Sequence, residues 1–297
     1  MMTKRFFPTC AIAFSLLGAV ACSSDDGDSQ PAAPRADLTL KIFDLGELTN
    51  NAMYEGWIMV DGEPISTGKF DKLDVGGQKE FSVVEEDLEK ATEFILTIEA
   101  PGDNDAIPSD TKILQGKFNG DVADVDTGII ADFSDSSGEF IIATPTDEDP
   151  DNEEKGIWFL NPNGGNPVAG LKLPTLSKGW KYEGWVVLAE DAPVTTGVFT
   201  KVDTRDEDSP FSKDVVAPPN FPGEDFLTGN SKGLNFPADA DVRGKKVVIS
   251  IEPFVDYDSE NPFFIKPLVG TAGTETAPTV NTMELSITDL PSGKVTR

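Results

Sequence analysis

The stretch Tyr54-Glu55-Gly56-Trp57-Ile58-Met59-Val60-Asp61-Gly62-Glu63-Pro64-Ile65-Ser66-Thr67-Gly68-Lys69-Phe70 decides the fold. Ile58 and Val60 alternate with Trp57 and Met59, so both faces of the first strand are apolar and a central place in a sheet is expected. Asp61-Gly62 is a pair that primed two-residue turns favour, and Ile65 to Phe70 reads as the returning strand. The pattern recurs as Tyr182-Glu183-Gly184-Trp185-Val186-Val187-Leu188-Ala189-Glu190-Asp191-Ala192-Pro193-Val194-Thr195-Thr196-Gly197-Val198-Phe199.

The likeness extends beyond the hairpin. Phe94-Ile95-Leu96-Thr97-Ile98-Glu99 matches Val247-Val248-Ile249-Ser250-Ile251-Glu252. Aspartates follow each glutamate at the same offsets, Asp103 and Asp105 in one copy and Asp256 and Asp258 in the other. A proline (Pro108, Pro262), a lysine (Lys112, Lys266) and a glycine (Gly116, Gly270) then follow in both. Matched blocks in the same order indicate an internal duplication. The expected fold is all-β: two tandem homologous antiparallel β-sandwich domains.

The chain of 297 residues has room for two such domains. Residues 37–146 are expected as the first and 156–297 as the second, with a long irregular insertion at 204–236. Leu38 to Phe43, Lys112 to Leu114 and Phe140 to Ala143 complete the strands expected in the first. Val83 to Ala91 reads as one or two helical turns. In the second, Ile157–Leu160, Leu171–Leu173 and Met283–Ile287 read as strands. Asp147-Glu148-Asp149-Pro150-Asp151-Asn152-Glu153-Glu154 lies in the stretch 147–155, read as an acidic linker because like charges extend a chain with nothing to bury.

Residues 1–21 read as a targeting segment, with Lys4 and Arg5 before a short apolar run. Ala19-Val20-Ala21-Cys22 resembles the bacterial lipoprotein signal, in which the cysteine is lipidated. Cys22 is thus the expected lipid anchor, and 22–36 a polar, disordered tether. Ser23 beside it resembles lipoproteins sent to an outer membrane, facing periplasm or exterior. The other cysteine, Cys10, falls in the leader, so no disulfide staples the domains.

Fifty-two acidic side chains against 24 basic ones give a net charge of −28, which repels nucleic acid and anionic lipid and favours solubility. The sequence holds no histidine, which removes Ser-His-Asp and Cys-His mechanisms and histidine zinc sites. No catalytic residues are expected, and the protein is read as non-enzymatic.

Tyr-x-x-Trp, a Gly/Pro turn, Gly-x-Phe and an apolar strand ending in Glu resemble the extracytoplasmic carboxy-terminal domain of anti-sigma-K factors. Tyr54, Trp57, Pro64, Gly68, Phe70 and Glu99 carry the likeness, as do Tyr182, Trp185, Pro193, Gly197, Phe199 and Glu252. Where the family tends to Gly-Gly after the glutamate, this chain has Asp-Asn-Asp and Asp-Tyr-Asp. The resemblance implies a sensor or binding module for an unidentified protein or small-molecule ligand. It is expected without the family's sigma-binding and membrane-spanning parts, and so without direct sigma-factor binding.

Tyr54/Trp57 and Tyr182/Trp185 could form an aromatic ligand platform, but a Trp with a neighbouring Tyr suits a β core anchor better. They are therefore read, with Gly68, Phe70, Gly197 and Phe199, as a fold signature. No cofactor is expected. Calcium is the one ion the chain could hold, on oxygens from Glu99, Asp103, Asp105, Glu252, Asp256 and Asp258. The alternative reading is accordingly a calcium-stabilised adhesion or carbohydrate-binding surface lipoprotein.

Overall fold

The computed structural model describes residues 32–213 and 215–297, so the leader and Cys22 lie outside the described residues. The first antiparallel sheet uses β1 (Arg35–Phe43), β2 (Met53–Val60), β3 (Glu63–Phe70), β4 (Gln78–Val84), β5 (Glu93–Glu99), β6 (Lys112–Asn119) and β7 (Val122–Asp126). A helix, α1 (Glu85–Lys90), follows β4 where the helical turns were expected. Asp61 and Gly62 at the β2–β3 turn both have positive φ, 53° and 87°, as a primed turn demands.

The second sheet contains β8 (Ser137–Ile142) and β9 (Gly156–Trp158); after them come the two-residue strands β10 (Leu160–Asn161), β11 (Val168–Ala169) and β12 (Leu171–Lys172). Its copy of the repeated hairpin is β13 (Trp180–Ala189) and β14 (Ala192–Phe199), with β14 at one end of the sheet. The expected insertion holds β15 (Gly223–Asp225), β16 (Asn230–Ser231) and β17 (Leu234–Asn235). Then come β18 (Lys246–Pro253), β19 (Leu268–Thr271) and β20 (Val280–Leu285). The last strand, β21 (Ser292–Thr296), belongs to the first sheet.

The strand orders are β3-β2-β5-β6-β7-β21-β1-β4 and β14-β13-β18-β19-β20-β8-β9-β15. The chain therefore forms two antiparallel β domains. The expected sandwich is corrected in detail: each domain is one sheet curled into a near-closed barrel rather than two sheets face to face. In the first, Phe81 of β4 packs on Phe70 of β3, with ring centroids 5.9 Å apart. Gly68 sits at this seam with φ of 136°, and a Cβ there would lie 3.0 Å from the Phe81 ring. Gly197 has φ of 112° at the second seam, against the carboxylate of Asp206. That carboxylate accepts from the Gly223 N–H of β15 at 2.8 Å and so ties the two edges together.

Two further expectations change. The last strand expected in domain one, Phe140 to Ala143, lies instead in the second sheet, where β8 pairs with β20. Alternation announces a strand without naming its partner, and the gap beside β7 is filled from 166 residues downstream by β21 (Asp126↔Ser292). The acidic stretch 147–155 is not an interdomain linker, since it joins β8 to β9 within one sheet. Asn152 Nδ2 donates to Asp147 Oδ2 at 2.8 Å, and Thr144 N–H to Glu153 Oε2 at 3.0 Å, which fixes the acidic run as an ordered turn.

The insertion is packed as well. Phe211, Phe226 and Phe236 form an aromatic cluster with centroids 5.0–5.8 Å apart. Below it Asp225 accepts from the Trp158 indole at 2.6 Å and from Thr146 N–H at 2.7 Å. One continuous apolar core runs through both domains, including Tyr54, Phe94, Tyr182 and Phe199. Across the junction the Trp180 indole donates to the Lys112 carbonyl at 3.0 Å, and Ser177 N–H to Ile130 O at 3.0 Å.

Candidate functional site: two acidic clusters

Strand alternation sends Tyr54, Ile58 and Val60 of β2 into the main core, and Glu55 and Trp57 to the opposite face. Both remain buried, and both meet β5, where the register sets Glu55 opposite Thr97 and Met53 opposite Glu99. The Trp57 indole donates to Thr97 Oγ1 at 2.9 Å, and Thr97 donates to Glu99 Oε1. Ser109 N–H also reaches Glu99 Oε1, at 3.1 Å. Glu55 accepts from Ser66 Oγ at 2.5 Å. Carboxylate oxygens of Glu55, Glu99 and Asp103 lie within 4.8 Å of one another.

Domain two builds the same arrangement. Trp185 donates to Ser250 Oγ at 2.8 Å, Ser250 donates to Glu252 Oε1, and Phe263 N–H reaches the same oxygen at 2.9 Å. Glu183, Glu252 and Asp256 then bring their carboxylates within 4.8 Å. Even the core-side tyrosines match: Tyr54 OH donates to Gly46 O at 2.8 Å, and Tyr182 OH to Pro174 O at 2.7 Å.

The clusters differ in their compensation. In domain one Lys69, opposite Glu55 on β3, puts its ammonium 3.3 Å from Glu55 Oε2 and 2.8 Å from Asp103 Oδ2. These contacts hold the Lys69 pKa up against the partial burial that lowers it, and the lysine hydrogen bond holds that of Asp103 down. In domain two the residue opposite Glu183 is Val198. Burial there pushes Glu183 up to about 7 and Glu252 up to about 8, with nearby carboxylates adding to the rise. Glu183 and Glu252 are only 4% and 1% exposed, and Glu183 Oε2 has no hydrogen-bond partner among the described residues.

Of the six acids read as calcium ligands, Glu99, Asp103, Glu252 and Asp256 are brought together in these clusters. Asp105 and Asp258 are not. Asp105 Oδ1 accepts from Ile107 N–H at 2.8 Å, and Asp258 Oδ1 accepts from Asn261 Nδ2 at 3.1 Å, so both shape their loops. Glu55 and Glu183 complete the clusters instead. A glutamate between two aromatic residues of a buried strand was the available signal, masked by the motif's reading as a fold signature. That signature also divides: Tyr54 and Phe70 are core, whereas Trp57 anchors the acid network from the other face.

Both clusters border clefts between the domains. Glu252 and Asp256 line a cavity of about 270 Å³ with Gly46–Thr49 and Phe264. Glu99 and Asp103 line a wider one of about 770 Å³ with Ile107, Phe254, Val255 and Tyr257. Among the described residues no helix is long and apolar enough to cross a membrane. No family profile, curated protein or solved structure matches this chain.

Proposed function

We propose that this is a non-catalytic, lipid-anchored extracytoplasmic module, of the sensor or binding kind that the anti-sigma-K resemblance implies. In this reading the two domains descend from one duplicated unit, and Cys22 tethers them to the outer membrane. The cleft between the domains carries the proposal. Ile107, Phe254 and Val255 are 70%, 63% and 61% exposed and lie together along it. Grouped apolar side chains beside an open cleft mark a docking place for a ligand or protein segment. Glu183 is 4% exposed and Glu252, which borders only the smaller cavity, 1%, which favours binding over acid–base chemistry.

The test is a thermal-shift screen of short peptides and soluble cell-wall glycan fragments on the full chain, repeated on Phe254→Asp. Stabilisation by a probe that disappears in Phe254→Asp supports the cleft, and stabilisation indifferent to the substitution overturns it. For the anchor, Cys22→Ser is expected to move the protein from the membrane to the soluble fraction.

A further inference from the structure

We infer that Glu183, Glu252 and Asp256 form a binding site for one hard divalent cation, calcium foremost, and that Lys69 supplies the corresponding positive charge internally in domain one. This inference is independent of any ligand in the larger cleft.

The two clusters are built on the same plan. Each has two strand glutamates, a loop aspartate four residues after the second glutamate, and a Trp–hydroxyl–glutamate chain fixing that second glutamate. Two positions differ in charge: Val198 stands for Lys69, and Lys181, opposite Glu252, stands where Met53 faces Glu99. Where the Lys69 ammonium sits between Glu55 and Asp103, Val198 offers only methyl groups. Lys181, across the strand pair from Glu252, makes no ion pair with any of the three acids among the described residues.

The second observation is the orphan oxygen. Glu183 Oε2 is buried without a hydrogen-bond partner among the described residues, a costly arrangement for a carboxylate, and the Glu183 carboxylate contributes one of the oxygens that converge. Oxygens sharing one calcium at about 2.3–2.6 Å lie at most roughly 5 Å apart. The observed convergence within 4.8 Å meets that limit. All donors are oxygens, which suits calcium or magnesium and not a thiophilic metal. The cavity beside Glu252 and Asp256 provides an entry path and room for water ligands.

The test is calorimetric titration of the EDTA-treated full chain with calcium chloride alone, then magnesium chloride alone, with melting curves alongside. The expected result is one equivalent of calcium bound below about 1 mM, with a melting temperature raised by several degrees. Val198→Lys should lower calcium affinity at least about tenfold while melting higher than the wild type without calcium. Lys69→Val should bind a second equivalent. Glu183→Gln reads the same site if Val198→Lys fails to fold, with the same tenfold loss expected. No saturable heat up to about 5 mM calcium, diffuse weak binding of many ions, or unchanged affinity in Val198→Lys or Glu183→Gln would each overturn the inference.

Discussion

Lys69 faces Glu55 at the same point of the β2–β3 ladder where Val198 faces Glu183 on β13–β14. That exchange of a cation for an isopropyl group leaves Glu183 Oε2 without the ammonium that Glu55 Oε2, likewise without a hydrogen bond, has at 3.3 Å.

Lys69→Met should destabilise domain one. The substitution leaves Glu55, 3% exposed, and Asp103 without their ammonium. Lys69 is partly solvated, so the loss is expected at about 1–3 kcal/mol rather than the full cost of an unpaired buried charge. Urea denaturation of Lys69→Met against wild type, in EDTA, measures it; an unchanged midpoint would show that the ion pair contributes nothing.

Stability should fall as pH rises from about 4.5 to 8 when no divalent ion is present. Burial lifts Asp225 to about 6, Asp206 to about 7 and Glu224 to about 8, as it lifts Glu183 and Glu252. A carboxyl with a raised folded pKa binds more protons folded than unfolded across that window. Its stabilisation is therefore complete below the unfolded value and lost progressively up to the folded one. Carboxylates with lowered pKa, such as Asp103 and Asp241, titrate below this window and do not reverse the slope. Urea denaturation should give a lower midpoint at pH 8 than at pH 5, with Glu224→Gln flattening the slope.

Trp57→Phe and Trp185→Phe should cost similar amounts, about 1–3 kcal/mol each. Both lose an indole donor to a buried hydroxyl, at 2.9 and 2.8 Å, and both leave a small void. Chemical denaturation of the two single variants checks this. A large cost in one domain only would contradict an equivalent role in the two networks.

Removal of residues 292–297 should open domain one while sparing domain two. β21 lies between β7 and β1, with Val295 fully buried. Arg297 caps α1, donating to the Leu88 and Ala91 carbonyls at 2.7 Å. Hydrogen exchange should show lost protection in β1 and β7 and retained protection in β13 and β18; uniform protection would refute the dependence.

Much of the strand layout was legible because a two-residue period and a repeated hairpin are local signals. The strand around Ile141 was visible by the same logic, but its partnership with β20 was not, because antiparallel pairing at long range leaves no local mark. The acidic run at 147–155 looked unburiable because its hydrogen-bond partners, Thr144 among them, are evident only in the fold. Asp103 and Asp256 were readable from their matched offsets. Glu55 and Glu183 were obscured because a strand places them beside residues distant in sequence, and the Lys69/Val198 difference had no meaning before the register was known.

The position of β21 imposes an order in time. Domain two is built from a continuous run, β8 to β20, and can pair all its strands once that run has emerged. Domain one, although made first, holds an open slot between β7 and β1 until the final strand arrives. During synthesis its exposed strand edges must wait through the whole length of its neighbour, so the earlier-made half is the later to mature. A chaperone that shields strand edges during this interval would govern yield without touching the finished protein.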